Sequence, residues 1–185
     1  MASTKRIMIS NVRCTFPKLF VAEEYMGKTN YSIGLIIPAD HPAVKAIEAA
    51  ALEIAEARYP GKGDGMVRRF KTSKTTWPLK SLDDGGFQLT PKRKAEQGAP
   101  TVLDQKKQNI PASAGLPYAG CWVNCSVDLF CYTKSGGGIT AYLNGVQLVR
   151  EDAPLGGGAT AASCRDDFEV IEDAGGMESD TSDLV

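Results

Sequence analysis

Hydrophobic and polar residues alternate along much of this chain, a pattern typical of β-strands with one buried face. The alternation predicts a first strand over residues 6–16, ending at the Phe16-Pro17 pair, and a second over residues 31–37. Between residues 42 and 58 the apolar residues recur at spacings of three and four, which predicts one amphipathic helix with Asp40 at its N-cap. The chain is therefore expected to be mainly β with one α-helix.

The clearest local signal is a β-hairpin in the last third of the chain. Residues 121–134 form a long alternating stretch, residues 135–138 (SGGG) are suited to a turn, and residues 139–149 return. A glycine inside the returning strand, Gly145, predicts a bulge or a bend. This hairpin is expected to be the longest part of the sheet.

The alternation divides the hairpin residues between two faces. One face is apolar and suited to a core, and its members are Cys121, Val123, Cys125, Val127, Leu129 and Cys131. The opposite face is otherwise polar but carries four large aromatics, namely Trp122, Phe130, Tyr132 and Tyr142. Aromatic side chains exposed on a sheet can stack on the bases of single-stranded nucleic acid without sequence preference. The alternative left open is that the helix or a second subunit covers them.

Residues 60–117 are the least regular part of the sequence and are rich in basic residues. Two short strands are predicted there, over residues 86–90 and 101–103. From Lys62 to Lys107 there are eleven Lys and Arg residues against five Asp and Glu. The basic clusters and their interleaved aromatics are Arg68, Arg69, Phe70, Lys71, Lys74 and Trp77; Lys92, Arg93 and Lys94; and Lys106 and Lys107. These clusters favour contacts with phosphates, although a solvated charged face is the other interpretation.

Charge is strongly segregated along the chain, although the net charge is only −1. Residues 1–150 hold 20 Lys and Arg against 12 Asp and Glu, which is +8, and residues 151–185 hold one against ten, which is −9. The second stretch has too few apolar residues to offset the entropy of ordering it. We therefore predict a nucleic-acid-binding domain over residues 1–160 and an acidic, disordered tail over residues 161–185.

The composition argues against most kinds of enzyme and metalloprotein. A single histidine, His41, leaves no partner for a serine or cysteine nucleophile, and the glycine runs lack the Lys-Ser/Thr of a phosphate loop. Five scattered cysteines in a chain with no export signal favour reduced thiols, most of them in the core. No catalytic residue, metal or cofactor is expected. A Mg²⁺-dependent nuclease using Asp83-Asp84 or Asp166-Asp167 is a minor alternative. The lack of a signal peptide or a membrane-spanning stretch predicts a cytoplasmic protein without membrane contact.

Several segments resemble the tailed-phage single-stranded DNA-binding proteins, a family long catalogued as a domain of unknown function and built on an OB-fold. The likeness covers roughly residues 5–170 and is carried by residues 13–20 (RCTFPKLF), 31–38 (YSIGLIIP), 80–84 and 118–157. The Tyr-Ala-Gly opening of the last segment and its Pro-Leu-Gly-Gly exit are the most specific motifs. The likeness is weakest over residues 60–117.

The resemblance implies a five-stranded OB-fold barrel with long loop insertions and no catalytic residues. It also implies single-stranded DNA as the ligand, self-association such as a homodimer, and a tail that recruits phage replication or recombination proteins in the cytoplasm of a bacterial host. Single-stranded RNA is left open as a second ligand. The rival hypothesis is an assembly module in which the exposed aromatics form a subunit interface. The candidate nucleic-acid-binding residues are Trp122, Phe130, Tyr132, Tyr142, Trp77, Phe70, Arg13, Arg68, Arg69, Lys71, Lys74, Lys92, Arg93, Lys94, Lys106 and Lys107.

Overall fold

The computed structural model describes residues 4–156 of the chain. Within these residues strands dominate, as predicted, but two α-helices are present rather than one. The strands are β1 (Thr4–Tyr25), β2 (Lys28–Ile37), β3 (Leu79–Ser81), β4 (Phe87–Leu89), β5 (Lys92–Lys94), β6 (Thr101–Leu103), β7 (Trp122–Tyr132) and β8 (Gly138–Arg150). The helices are α1 (Pro42–Arg58) and α2 (Gly63–Lys71). Among these residues no helix is long and apolar enough to cross a bilayer.

Five strands close into a ring in the order β1-β2-β5-β8-β7-β1. All neighbours in the ring are antiparallel except β5 and β8, which run parallel and meet at a single pair, Lys92 with Tyr142. This is the arrangement of a partly open OB-fold barrel. Strands β4 and β3 extend the sheet beyond β2, and β6 pairs with β8 outside the ring. The predicted five-stranded barrel with insertions is therefore confirmed.

Strand β1 is longer than the sequence predicts, because it continues through Phe16 and Pro17 instead of ending there. The pairing with β2 shifts register between Thr15 and Lys18, so the proline falls in a bulge where no ladder hydrogen bond is needed. Phe16 adopts a positive φ of 44° at this irregularity. Beyond it, β1 and β2 form a hairpin that we call the arm, residues 18–32, with Met26 and Gly27 at its tip.

Helix α1 has the predicted bounds but not the predicted cap. The N-cap is His41, not Asp40, and its Nδ1 accepts the backbone N–H of Ala43 at 3.0 Å. Its Nε2 lies 2.9 Å from the carbonyl oxygen of Ser10, which can only accept, so Nε2 carries the proton. The lone histidine therefore joins the helix to β1 and has a structural role.

Helix α2 lies in the stretch that the sequence predicts to be irregular. Its two glycines, Gly63 and Gly65, suggest a loop, and only Val67 and Phe70 of its nine residues are large, apolar and buried. Gly63 is required by packing, because a Cβ there would collide with the backbone of Glu56 on α1. The helix thus depends on contact with α1 rather than on its own pattern.

The barrel interior is filled by one face of each long strand. Every second residue of β7, from Val123 to Cys131, is buried, which confirms the predicted division of the hairpin into two faces. The bulge predicted at Gly145 is present, since the pairing of β7 with β8 shifts between Ser126 and Val127.

The described cysteines belong to the core as reduced thiols. Cys14, Cys121, Cys125 and Cys131 are all buried and unpaired, while Cys164 lies outside the described residues. Burial raises the pKa of Cys125 to about 12, so its thiol stays protonated and unreactive at neutral pH. Within residues 4–156 there is also no group of three metal-ligating side chains.

Candidate nucleic-acid interface

A continuous groove crosses the outer surface of β5 and β2. One part of it is lined by Lys74, Lys80 and Thr140, together with Thr90 and Lys92. A second part shares Thr90 and Lys92 and continues onto the arm through Ser32, Asn30 and Tyr25. Because two residues line both parts, they form one channel, which we call the central groove.

The central groove occupies the surface that OB-folds use to bind oligonucleotides. That surface is the outer face of the second and third barrel strands, flanked by the loops that join strands one to two and four to five. Here these strands are β2 and β5, and the flanking loops are the tip of the arm and the β7–β8 turn. The groove therefore follows from the strand order and not from any single motif.

Aromatic side chains lie near both ends of the central groove. At one end Tyr142 on β8 pairs across the sheet with Lys92, and its ring lies 5.8 Å from that of Phe130, tilted by 44°. Tyr132 adjoins the same end, with its hydroxyl 3.5 Å from the carbonyl oxygen of Thr75. At the other end Tyr25 on the arm is 70% exposed.

The lysine side chains of the central groove are accessible to a ligand. Lys74, Lys80 and Lys92 are exposed, and within residues 4–156 none of them forms an ion pair. Two carboxylates, Glu23 and Glu24, line the arm end, where Glu23 is paired with Lys18 at 3.6 Å. The lysine end is therefore the more favourable for phosphate.

Several of the candidate residues from the sequence lie in or beside this groove. Lys74 and Lys92 line it, Phe130, Tyr132 and Tyr142 lie at its β8 end, and Lys94 borders an adjoining hollow with Lys28. Trp77 also lines the groove but is only 8% exposed, with the Lys71 ammonium 5.1 Å from its ring centre. These residues are distant in sequence and are brought together by the β5–β8 pairing.

Trp122, by contrast, lies at the opposite end of β7 in a cluster that we call the exit clasp: Arg13, Trp122, Arg150 and Asp152. The indole N–H donates to Asp152 Oδ2 at 2.7 Å, and the Arg150 guanidinium stacks 4.4 Å above the ring. The indole hydrogen bond, with that of the Ala153 amide, holds the pKa of Asp152 down to about 2. Trp122 is half-buried here, with one edge and one face already engaged.

Two arginines of the candidate set are bound to backbone carbonyls. Arg13 donates to the carbonyl oxygens of Gly120 and Ala153, at 3.2 and 2.7 Å. Arg93 donates to those of Gly98, Gln97 and Leu143, at 2.8, 3.0 and 3.4 Å. Both guanidinium groups therefore hold loops in place.

The remaining candidates do not line the central groove. Phe70 is 1% exposed in the core, and on the same helix Arg68 is paired with Asp64 and Lys71 with Glu48. Arg69 points toward Gly136 in the β7–β8 turn. Lys106 and Lys107 lie on a turn beside β6, and Lys107 borders a separate groove.

Sequence reasoning missed the arm and strand β3. Tyr25, Lys28, Asn30 and Lys80 all reach the central groove or its edge. A signal for the arm exists in the Tyr-Met-Gly-Lys turn, since Gly27 suits the positive φ of 73° of a tight hairpin. Lys80 carries no local signal, because only the pairing of β3 with β4 places it at the groove.

Comparison with known proteins assigns the chain to a family. A family model described as "Enterobacter phage Enc34, ssDNA-binding protein" matches residues 5–180. The chain belongs to this family of phage single-stranded DNA-binding proteins. The resemblance expected from the sequence motifs is therefore confirmed.

The chain is also similar to solved structures and to a curated relative. The single-stranded DNA-binding protein of bacteriophage Enc34 in complex with ssDNA is 25% identical, with a TM-score of 0.64 over 82% of this chain and 89% of that one. The single-stranded DNA-binding protein gp2.5 of bacteriophage T7, at 18% identity, shares the fold with a TM-score of 0.56 over 95% of this chain and 100% of that one. "Putative protein p50" of Acyrthosiphon pisum secondary endosymbiont phage 1 is 27% identical over 91% of this chain and 96% of its own length.

Two of the motifs that carry the resemblance, residues 13–20 and 118–157, meet at the exit clasp. Arg13 comes from the first motif, the Tyr118 hydroxyl donates to the backbone carbonyl of Asp152 at 2.9 Å, and the Leu155 amide donates to the carbonyl of Ala119 at 2.9 Å. A Cβ at Gly120 would collide with the carbonyl of Ala153. These motifs therefore fix the course of the chain as it leaves β8.

Proposed function

We propose that this protein is a non-catalytic phage single-stranded DNA-binding protein that coats DNA without sequence preference through its central groove. The observation that carries the proposal is one continuous groove with aromatic rings near both ends and lysines along it that form no ion pair with residues 4–156. Membership of the phage family supports the same ligand. Replication or recombination in the cytoplasm of a bacterial host is the setting that we infer.

The chemistry of the groove suits any base sequence. Every base offers a π-face, and stacking on an aromatic ring contributes roughly 1–3 kcal/mol. Lys74, Lys80 and Lys92 would neutralise phosphates and release counterions, so affinity should fall steeply with salt. Single-stranded RNA presents the same phosphates and base faces. Its affinity relative to DNA is measured by titrating a labelled RNA oligonucleotide in the same way.

A direct test is fluorescence anisotropy of labelled oligo-dT titrated with the full-length protein at low and at high salt. We expect binding at low salt and a large loss of affinity as salt rises. The rival assembly module would instead give salt-resistant self-association with no DNA binding. Absence of binding at low salt would refute the proposal.

The fluorescence emission of the two tryptophans, recorded while oligo-dT is added, shows where on the protein the DNA binds. In a Trp122→Phe variant the remaining Trp77 borders the groove, so oligo-dT should change its emission. In a Trp77→Phe variant the remaining Trp122 lies in the exit clasp and should respond little. A change in Trp122 emission without a change in Trp77 emission would place the DNA at the exit clasp instead of the central groove.

The acidic residues after Arg150 extend the proposal. Residues 151–185 carry a net charge of −9 against +8 on residues 1–150, so they can compete with phosphate for the groove and can recruit replication or recombination proteins. Residues 161–185 lie outside the described residues, and their role is inferred from charge alone. Deleting residues 166–185 should strengthen oligo-dT binding, and an unchanged or weaker affinity would reject competition.

A further inference from the structure

A second groove lies on the side of the barrel, away from the central groove. It runs between β1, β6, β7 and β8 and is bordered by Met8, Leu103, Asn124, Ser126, Val146 and Lys107. Its walls are mainly apolar, and Met8 at its edge is 59% exposed. We call it the lateral groove. Its volume of about 240 Å³ is below the roughly 300–1,000 Å³ of small-molecule sites, so it suits a few side chains better than a free ligand.

The charge beside the lateral groove is positive. Lys106 and Lys107 are exposed on the turn that follows β6, and within residues 4–156 neither forms an ion pair. The nearby carboxylate of Asp104 accepts the backbone N–H groups of Lys106 and Gln108, both at 2.8 Å. An apolar groove with cations at its edge is complementary to a peptide segment that carries both apolar and acidic side chains.

One segment of this chain has that composition. Residues 166–173 (DDFEVIED) place three apolar side chains, Phe168, Val170 and Ile171, among five carboxylates. No other part of residues 157–185 combines large apolar residues with acids so densely, since residues 174–185 hold only three acids. The acidic stretch is therefore not uniform along its length.

The chain also leaves the barrel close to the lateral groove. The exit clasp holds residues 152–155 against β1 and β7, next to Trp122. Asn124 and Ser126 are the next outward residues on β7, and successive residues on one face lie about 7 Å apart. The ten residue steps from Gly156 to Asp166 can span up to about 35 Å when extended, which is ample.

We propose that residues 166–173 dock in the lateral groove of the same molecule, with Phe168 against Met8 and the carboxylates beside Lys106 and Lys107. Docking places five of the ten acids of residues 151–185 at the lateral groove, so competition with phosphate for the central groove falls to the acids outside residues 166–173. The proposal concerns a different surface from DNA binding and does not depend on it.

Methionine methyl NMR tests this docking without DNA. We would compare the full chain with chains ending at residue 173 and at residue 165, using Met8→Leu to assign the Met8 signal. The Met8 methyl signal should be the same in the full chain and the 173 chain and should shift in the 165 chain. Met26, 84% exposed at the tip of the arm beside the central groove, should not move in any of them.

Point variants distinguish a specific contact from a general effect of truncation. Phe168→Ser in the full chain should shift the Met8 methyl signal to the position that it has in the chain ending at residue 165, because the aromatic ring no longer lies against Met8. Leu184→Ser, a matched change outside the segment, should leave Met8 unchanged. A peptide of residues 163–176 added to the 165 chain should restore the shift, with several-fold weaker binding in a Lys107→Glu variant.

Three results would overturn the proposal. A Met8 signal indifferent to both truncations would mean that the lateral groove has no occupant from this chain. Movement of Met26 instead of Met8 would place the segment along the central groove. A Met8 shift that depends on protein concentration would make a second copy the occupant.

Discussion

Two regions of the barrel combine aromatic rings with cations, and they differ in what the cations already bind. At the exit clasp, the Arg13 guanidinium binds two backbone carbonyls, and Arg150 stacks on Trp122 beside the Asp152 carboxylate. At the central groove, Lys80 and Lys92 are exposed without such partners in the described residues. The same residue types therefore serve structure in one place and suit a ligand in the other. The decisive quantity is how many partners a charge already has.

Reversing a charge in the central groove should give the largest effect. Lys92→Glu replaces a phosphate contact with a repulsion at the point shared by both parts of the groove. We expect oligo-dT affinity to fall about tenfold or more, and the salt dependence to weaken by about one phosphate contact, roughly 0.7 in the log–log slope.

The matched control for that reversal is Lys45→Glu, at another exposed lysine, which lies on α1 and has no ion pair in the described residues. It should change affinity by less than about twofold to threefold, because it alters only the long-range field. Equal losses in the two variants would mean that net charge, and not the groove, governs binding.

Changing one aromatic side chain in each region should give an effect of similar size and a sharper contrast. Tyr142→Ala should reduce oligo-dT binding by about 1–3 kcal/mol, the contribution of one stacked base. Trp122→Phe should leave that affinity nearly unchanged but lower the free energy of unfolding by about 0.5–1.5 kcal/mol, through loss of its hydrogen bond to Asp152. Anisotropy titration and urea unfolding measure the two quantities, and a reversed pattern would exchange the roles of the two regions.

Acid should loosen the exit clasp at a low and specific pH, the smallest of these effects. The pKa of Asp152 is depressed to about 2, so the carboxylate stabilises the fold fully above its ordinary pKa near 3.8. That contribution is lost as pH falls from about 4 toward 2. In a Trp77→Phe protein the Trp122 emission should change over this range, and adding Asp152→Asn should abolish that step. A step between pH 5 and 7 would contradict the assignment to Asp152.

The sequence predicted the hairpin of β7 and β8 well because one of its faces packs in the core and the other points outward. Alternation from Val123 to Cys131 and the glycine at position 145 are local signals, and the structure confirms both the buried face and the bulge. Helix α1 was predicted for the same reason, since its apolar spacing reflects one buried side. Helix α2 was missed because Gly63 serves its packing on α1, which no local pattern records.

The candidate site was predicted only in part, because residue type does not reveal which partners a side chain has in the fold. Arg93 and Lys92 are neighbours in one basic run, yet Arg93 binds three carbonyls while Lys92 points into the groove. Trp122 and Tyr142 share the outward face of one hairpin, yet one lies in the exit clasp and the other beside the groove. The division of 1–160 and 161–185 into domain and tail stays a prediction.

The sequence by itself determined that the protein is mainly β, which hairpin face is buried, and that positive and negative charge are separated along the chain. These properties are local, because they follow from the period of a strand and from composition. Only the tertiary structure decided where a ligand has access, since the central groove exists through the pairing of β5 with β2 and β8. Such pairing joins Lys92 to Tyr142, fifty residues further along the chain, and no short-range pattern encodes a contact at that distance.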